Sequence, residues 1–272
     1  MESIILIIKS IVLGVVEGVT EFLPISSTGH MIIVGKFINF SGDFAKLFEV
    51  VIQLGAIWAV VYLFRGKIFD SFKHLKPNES GFKLWTKLLF AFIPAGVVGL
   101  LFHKFIEEHL MNPFVVSLAL IFGGLWMIFA EKRYRNDNHS LDIDTIGYKK
   151  SFLIGCFQCL SILWPGFSRS AATIIGGWMM GLSSVAAAEF SFFLAIPTMV
   201  IATLFSLLKD GAKMNLSEVA ALAVGFVVSF VVAVVVVAKF IDFLKTKPMT
   251  NFAIYRIIVG VLVLFLGLVN II

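Results

Sequence analysis

The chain has 272 residues, of which 59% are hydrophobic and 14% charged, against about 25% charged in an average soluble domain. Mean hydropathy is +0.99. These values exclude a soluble globular enzyme, a disordered chain and a nucleic-acid-binding module, so the net charge of +5 is read for membrane orientation first.

An all-α polytopic membrane protein is expected, since a hydrocarbon core of about 30 Å takes about 20 helical residues. Residues 1–43 open the chain with an apolar stretch that runs into Glu17 and Glu21. It is then broken by Pro24, Ser26, Ser27, Thr28, Gly29 and His30. No small-residue cleavage site follows the apolar start, so no cleavable signal peptide is expected. Three full spans follow at 46–64, 84–102 and 113–130. Residues 151–184 repeat the first pattern, an apolar stretch broken at Pro165, Gly166, Phe167, Ser168, Arg169 and Ser170. Cys156 and Cys159 form a CxxC there, read as two small residues one helical turn apart. Three more spans close the chain at 186–208, 218–240 and 252–271.

Each broken region reads as a re-entrant helix–loop–helix hairpin. Such backbone survives at membrane depth only when buried in protein or lining a wet cavity. A shift of 141 places Gly14 on Gly155, Glu17 on Gln158, Pro24 on Pro165 and Ser27 on Ser168. The expected organisation is therefore one membrane domain of two repeats. Repeat one covers about 1–130 with hairpin 1–43, and repeat two about 151–272 with hairpin 151–184. A hairpin plus three spans has odd parity, so the second copy is inverted. Sorting the basic residues by loop puts fifteen, Arg256 among them, on one side and five on the other. The positive-inside rule makes the richer side cytoplasmic. Both termini and the mouth of the first hairpin then face outward.

Polar groups inside a membrane are functional candidates by default. Glu17 and Glu21 sit at i and i+4, on one helix face. Two buried like charges need a cation, a shared proton or a facing arginine. A hard divalent ion, Mg²⁺ or Ca²⁺, suits such oxygen ligands. Ser27 and His30 have the makings of a hydroxyl nucleophile and its base, although Ser26 and Ser27 also suit an N-cap. Arg169 at a helix start offers a planar fork for phosphate oxygens, or a partner for a glutamate of the other repeat. Ser168, Ser170 and Thr173 surround it in sequence. Glu49 and Glu189 occupy matching places at the start of spans and are candidates to line the site. One half thus carries acids and a base and the other an anion holder, a set suited to phosphoryl transfer on an anionic lipid.

At these clusters the sequence resembles the undecaprenyl-diphosphate phosphatase family, also called bacitracin resistance proteins. The matching residues are Glu17-xxx-Glu21, Pro24 to His30 and Pro165 to Thr173. The resemblance implies hydrolysis of undecaprenyl diphosphate to undecaprenyl phosphate and inorganic phosphate on the outer face of a bacterial plasma membrane. It also implies recycling of the lipid carrier for peptidoglycan and resistance to bacitracin. Carried over, Glu17 and Glu21 bind the metal or assist proton transfer, and Ser27 is the preferred nucleophile. His30 is its base or a second phosphate contact, with His30 or water as competing nucleophiles. Arg169 clamps the diphosphate with Ser168, Ser170, Thr173 and Ser26. The implied partners are a polyprenyl diphosphate and membrane lipids, with a homodimer left open. A lipid flippase or secondary transporter on the same inverted repeat is the alternative, because broken helices in inverted repeats also build transporters.

Overall fold

A computed structural model describes residues 2–136, 141–210 and 214–269, with the side chains of residues 209 and 210 left aside. Among the described residues there are eleven α-helices and no strand. In chain order they are α1 (Glu2–Thr20), α2 (Ser27–Phe37), α3 (Asp43–Leu63), α4 (Arg65–Lys73), α5 (Ser80–Phe105), α6 (Pro113–Tyr134), α7 (Tyr148–Leu163), α8 (Arg169–Met179), α9 (Ser184–Asp210), α10 (Leu216–Thr246) and α11 (Thr250–Leu268). A π-helical turn, Ile106–Leu110, prolongs α5.

Seven of these helices are long and apolar enough to cross a membrane, and the chain is a multi-pass membrane protein. Six carry the six expected spans; the end of the last, at residues 270–271, lies outside the described residues. The seventh is α1, whose 19 residues also suffice. By contrast α2 and α8 have 11 residues each. At 1.5 Å per residue that is about 16 Å, half a hydrocarbon core.

Helix starts follow local chemistry. Asn112 accepts the Val115 N–H ahead of Pro113, which is pre-set for the first helical position. Asn215 and Glu218 form a reciprocal capping box on α10. The starts of α2 and α8 are of another kind. Ser26 (φ 73°) and Ser168 (φ 74°) both hold the left-handed backbone region, and each side chain accepts the N–H three residues on, from Gly29 and Ala171. A non-glycine residue costs on the order of 1–3 kcal/mol there and persists only where its surroundings hold it. The cap geometry therefore matches Ser26, not Ser27, with Ser168. The second loop is one residue longer, and Ser27 faces Arg169 in the match.

The principal helix pairs are α1 with α10, α5 with α7, α3 with α10, α6 with α11, and α8 with α9. Glycines allow the closest approaches. A Cβ on Gly14 would lie 2.8 Å from the Gly225 carbonyl oxygen, and one on Gly155 would run into the Ala91 backbone. The largest apolar core, including Phe22, Ile174, Trp178, Phe190, Phe192 and Phe193, lies around α8 and α9. Cys156 and Cys159 are free thiols.

Candidate active site

The two helix breaks meet inside the protein. Glu21, just past α1, accepts a charge-assisted hydrogen bond from Arg169 Nη2 at 2.8 Å through Oε1. Its other oxygen, Oε2, accepts the Ser27 hydroxyl at 2.6 Å. Both carboxylate oxygens are thus engaged, one from the same break and one from the second break. The side chains of Glu21 and Arg169 are 3% and 11% exposed, so the pair is desolvated and holds only because its geometry is good.

Arg169 is fixed beyond Glu21. Its Nη1 donates to the Ser191 carbonyl at 2.9 Å, and its guanidinium lies over the Phe22 ring, 5.7 Å from the centroid. Nε is buried with no partner in the protein. Thr173 donates to the Ser191 hydroxyl at 2.7 Å, which links α8 to α9. Ser170 donates to the Leu23 carbonyl at 2.8 Å and sits 3.1 Å from Ser168 Oγ, which links α8 to the first break. The hydroxyls expected around the phosphate therefore also brace the frame that carries Arg169.

Glu17 lies one turn before Glu21, and the Glu21 N–H still bonds the Glu17 carbonyl at 3.0 Å, so both carboxylates share a face. Glu17 is 1% exposed, and neither of its oxygens has a hydrogen-bond partner. Glu49 on α3 is half-buried. A desolvated carboxylate without a donor requires a proton or a cation. Among the described residues no three His, Cys, Asp or Glu side chains form a metal cage. Glu17 and Glu21 together nevertheless fit a hard cation, since two carboxylates completed by substrate phosphate oxygens and water are a common Mg²⁺ arrangement.

His30 does not bond Ser27. Its Nδ1 lies 2.7 Å from the Ser26 carbonyl and its Nε2 2.8 Å from the Tyr255 hydroxyl. The nearest base to Ser27 is Glu21. Glu189 is turned to Lys67, with 3.7 Å between them, and makes no hydrogen bond to Glu21 or Arg169.

Sequence reasoning missed three residues. Arg256 was expected on the cytoplasmic side but is fully buried. Its guanidinium donates to the Pro24 carbonyl (3.3 Å) of the first break, to Gly166 (3.1 Å) and Phe167 (2.7 Å) of the second, and to Ala119 (3.2 Å) of α6. Gly123 makes the room: a Cβ there would lie 2.5 Å from Arg256 Nη2. The cause of the error is that a lone arginine early in an apolar span looks like one that snorkels to the interface. Ser191 and Tyr255 carried one signal each, a polar group inside an apolar run.

The family model described as "Bacitracin resistance protein BacA" matches residues 10–262, a range that contains both breaks and Arg256. The chain belongs to this family. Among its relatives is the undecaprenyl-diphosphatase of Thermoanaerobacter sp. (strain X514), 58% identical over 265 residues, covering 96% of this chain and 97% of that protein. Those of Clostridium novyi (strain NT) and Clostridium tetani (strain Massachusetts / E88) are 53% and 49% identical, and each covers 98% or more of both chains. Family membership therefore spans the whole assembly that joins Glu21, Ser27 and Arg169.

Proposed function

We propose that this chain hydrolyses undecaprenyl diphosphate to undecaprenyl phosphate and inorganic phosphate. By that reaction it returns the lipid carrier to cell-wall synthesis and confers bacitracin resistance. The observation that carries the reading is the buried Ser27–Glu21–Arg169 connection. It lies in a chain 58% identical over nearly its full length to a protein named undecaprenyl-diphosphatase.

In this reading Arg169 is the phosphate clamp. Its fork, including the unpartnered Nε, turns from Glu21 to the terminal phosphate oxygens of the substrate. Glu21, released, takes the proton of Ser27 as Oγ attacks the terminal phosphorus. The bond from phosphorus to the bridging oxygen breaks, and undecaprenyl phosphate leaves with that oxygen. Water then attacks the phosphoserine; the Tyr255 hydroxyl leaves His30 Nε2, which takes a proton from the water and gives it up to the departing phosphate, while the Glu21 proton returns to Oγ. Glu17, with the Glu21 oxygen that Arg169 vacates, would hold a divalent cation, Mg²⁺ or Ca²⁺. Such an ion supplies charge neutralisation on the diphosphate.

The finer architecture belongs to the same reading: two inverted repeats, each a re-entrant hairpin and three spans, in one domain. Reciprocal helix pairing supports it. The first helix of repeat one packs on the second span of repeat two (α1 on α10), and the first helix of repeat two on the second span of repeat one (α7 on α5). The matching left-handed caps at Ser26 and Ser168 support it too. The site opens outward and both termini lie outside; without Arg256 the basic count is fourteen to five and keeps that orientation.

The test is phosphate release from undecaprenyl diphosphate by purified protein in detergent. Release by the wild type and not by Arg169→Ala is expected. No release by the wild type overturns the reading and favours the flippase, which acts only across a sealed membrane.

A further inference from the structure

One basic region takes no part in the proposed reaction. The end of α6, the start of α7 and the turn between α8 and α9 enclose a cleft of about 560 Å³. Three of its lining side chains, Arg133, Arg135 and Lys150, are cationic and none is acidic. Arg135 is bound to Glu131 at 2.9 Å and to the Leu244 and Lys247 carbonyls. Arg133 and Lys150 are exposed. Arg133 lies over the Tyr134 ring, and among the described residues neither cation meets a carboxylate or donates a hydrogen bond. Lys149 and Lys150 stand in the first turn of α7, which has no acid and no side-chain cap. Cations there oppose the helix dipole unless an anion joins them. Trp178 lines the cleft as well; it is 1% exposed, and its indole N–H is buried without an acceptor. A buried donor left open in this way fits a site that an acceptor completes.

The first half of the chain shows the same lysine in use. Under the 141-residue shift Lys9 matches Lys150. Lys9 donates to the Asn39 carbonyl of the α2–α3 turn at 2.8 Å. Lys150 lies beside the α8–α9 turn, its Nζ 3.8 Å from where a Cβ on Gly181 would be, yet it donates to no carbonyl there. One lysine thus closes on its own turn, and its counterpart stands over a cleft.

We propose that this cleft binds a phosphate group, brought by an anionic phospholipid or free in solution, between Arg133, Lys150 and the start of α7. Arg133 offers its fork and Lys150 a point charge to the phosphate oxygens. The lipid is the better fit. Phe129, on the same face of α6 as Arg133, is 58% exposed, so an apolar surface for acyl chains adjoins the basic cleft. Basic pockets between transmembrane helices suit anionic headgroups.

The test titrates delipidated protein in a neutral detergent with phosphatidylglycerol, phosphatidylcholine and inorganic phosphate, and compares dissociation constants. Phosphatidylglycerol is expected to bind more tightly than phosphatidylcholine, whose choline is repelled by the two cations. In Arg133→Gln/Lys150→Gln protein its affinity is expected to fall about 30-fold, a factor of about five to six for each basic residue. Neither side chain braces the fold, so the melting temperature without lipid is expected to match the wild type. Lys9→Gln, the matching change in the first half, is expected to leave the affinity unaltered. Tighter binding of inorganic phosphate, also lost in the double variant, keeps the site and makes its ligand a soluble phosphate. Equal affinities for the two lipids overturn the proposal, as do lipid and phosphate affinities that the double variant leaves unchanged. None of these readouts depends on phosphate release from undecaprenyl diphosphate.

Discussion

The two helix breaks share the same cap geometry and differ in chemistry. Ser26 and Ser168 share a positive φ within one degree and cap their helices through the same hydrogen bond. Glu17 and Gln158, matched in position, are equally buried and equally without partners. Yet the first break carries Glu21, Ser27 and His30, while the second carries Arg169 in a frame of hydroxyls. A backbone that opens a half-helix inside a membrane protein is thus a neutral platform, and the side chains set the chemistry of each break. The carboxylate–guanidinium contact between Glu21 and Arg169 is what ties the two breaks together.

Substitutions can break that division of labour. The largest effect is expected from Arg169→Ala, which removes the clamp and leaves Glu21 buried without its counter-charge. Activity should fall at least 10³-fold, of the order seen when a transition-state charge contact is lost, in a phosphate-release assay. Arg169→Lys keeps the charge and loses the fork, and should recover only a small part. Glu17→Gln makes the first break like the second. It relieves a buried unpaired carboxylate, so the detergent melting temperature should rise while activity falls about 10²-fold and its dependence on added Mg²⁺ or Ca²⁺ weakens.

Smaller effects concern the frame. Arg256→Met strips a donor from four carbonyls; a buried acceptor left unpaired costs about 1–3 kcal/mol, read as a fall in thermal stability that affects both breaks at once. Unchanged stability would show that the two loops hold their places without it. The smallest effect should come from Ser26→Gly. Loss of the cap is worth a few tenths of a kcal/mol, and the relief of positive φ offsets it, so the melting temperature should hardly move. Ser26→Ala loses the cap and keeps the strain, and should cost more, about 1 kcal/mol or above.

Much of this was legible in the sequence. The six spans follow from apolar length, and both breaks from proline, serine and glycine inside apolar runs. Glu21, Ser27 and Arg169 stood out because charge and hydroxyls are costly at that depth. What escaped were contacts over long chain separations. No periodicity links Pro24 to Arg256 or His30 to Tyr255, and a tyrosine or arginine near the start of a span has an ordinary interfacial role. The pairing of Ser27 with Glu21 in place of His30 was equally out of reach. It depends on the left-handed turn at Ser26, which faces the hydroxyl back toward α1. The one-residue offset between the two loops has the same origin.

Arg256 also sets a schedule. It is 232 residues beyond the Pro24 carbonyl that it holds. At a synthesis rate of about 5–20 residues per second it emerges about 10–50 s later. During that interval Glu17, Glu21 and Ser27 are already synthesised, but the two loops lack their common fastener. A ribosome that stalls before α11 therefore leaves a chain in which Glu21, Ser27 and Arg169 are all present and the arginine that ties the two breaks together is not.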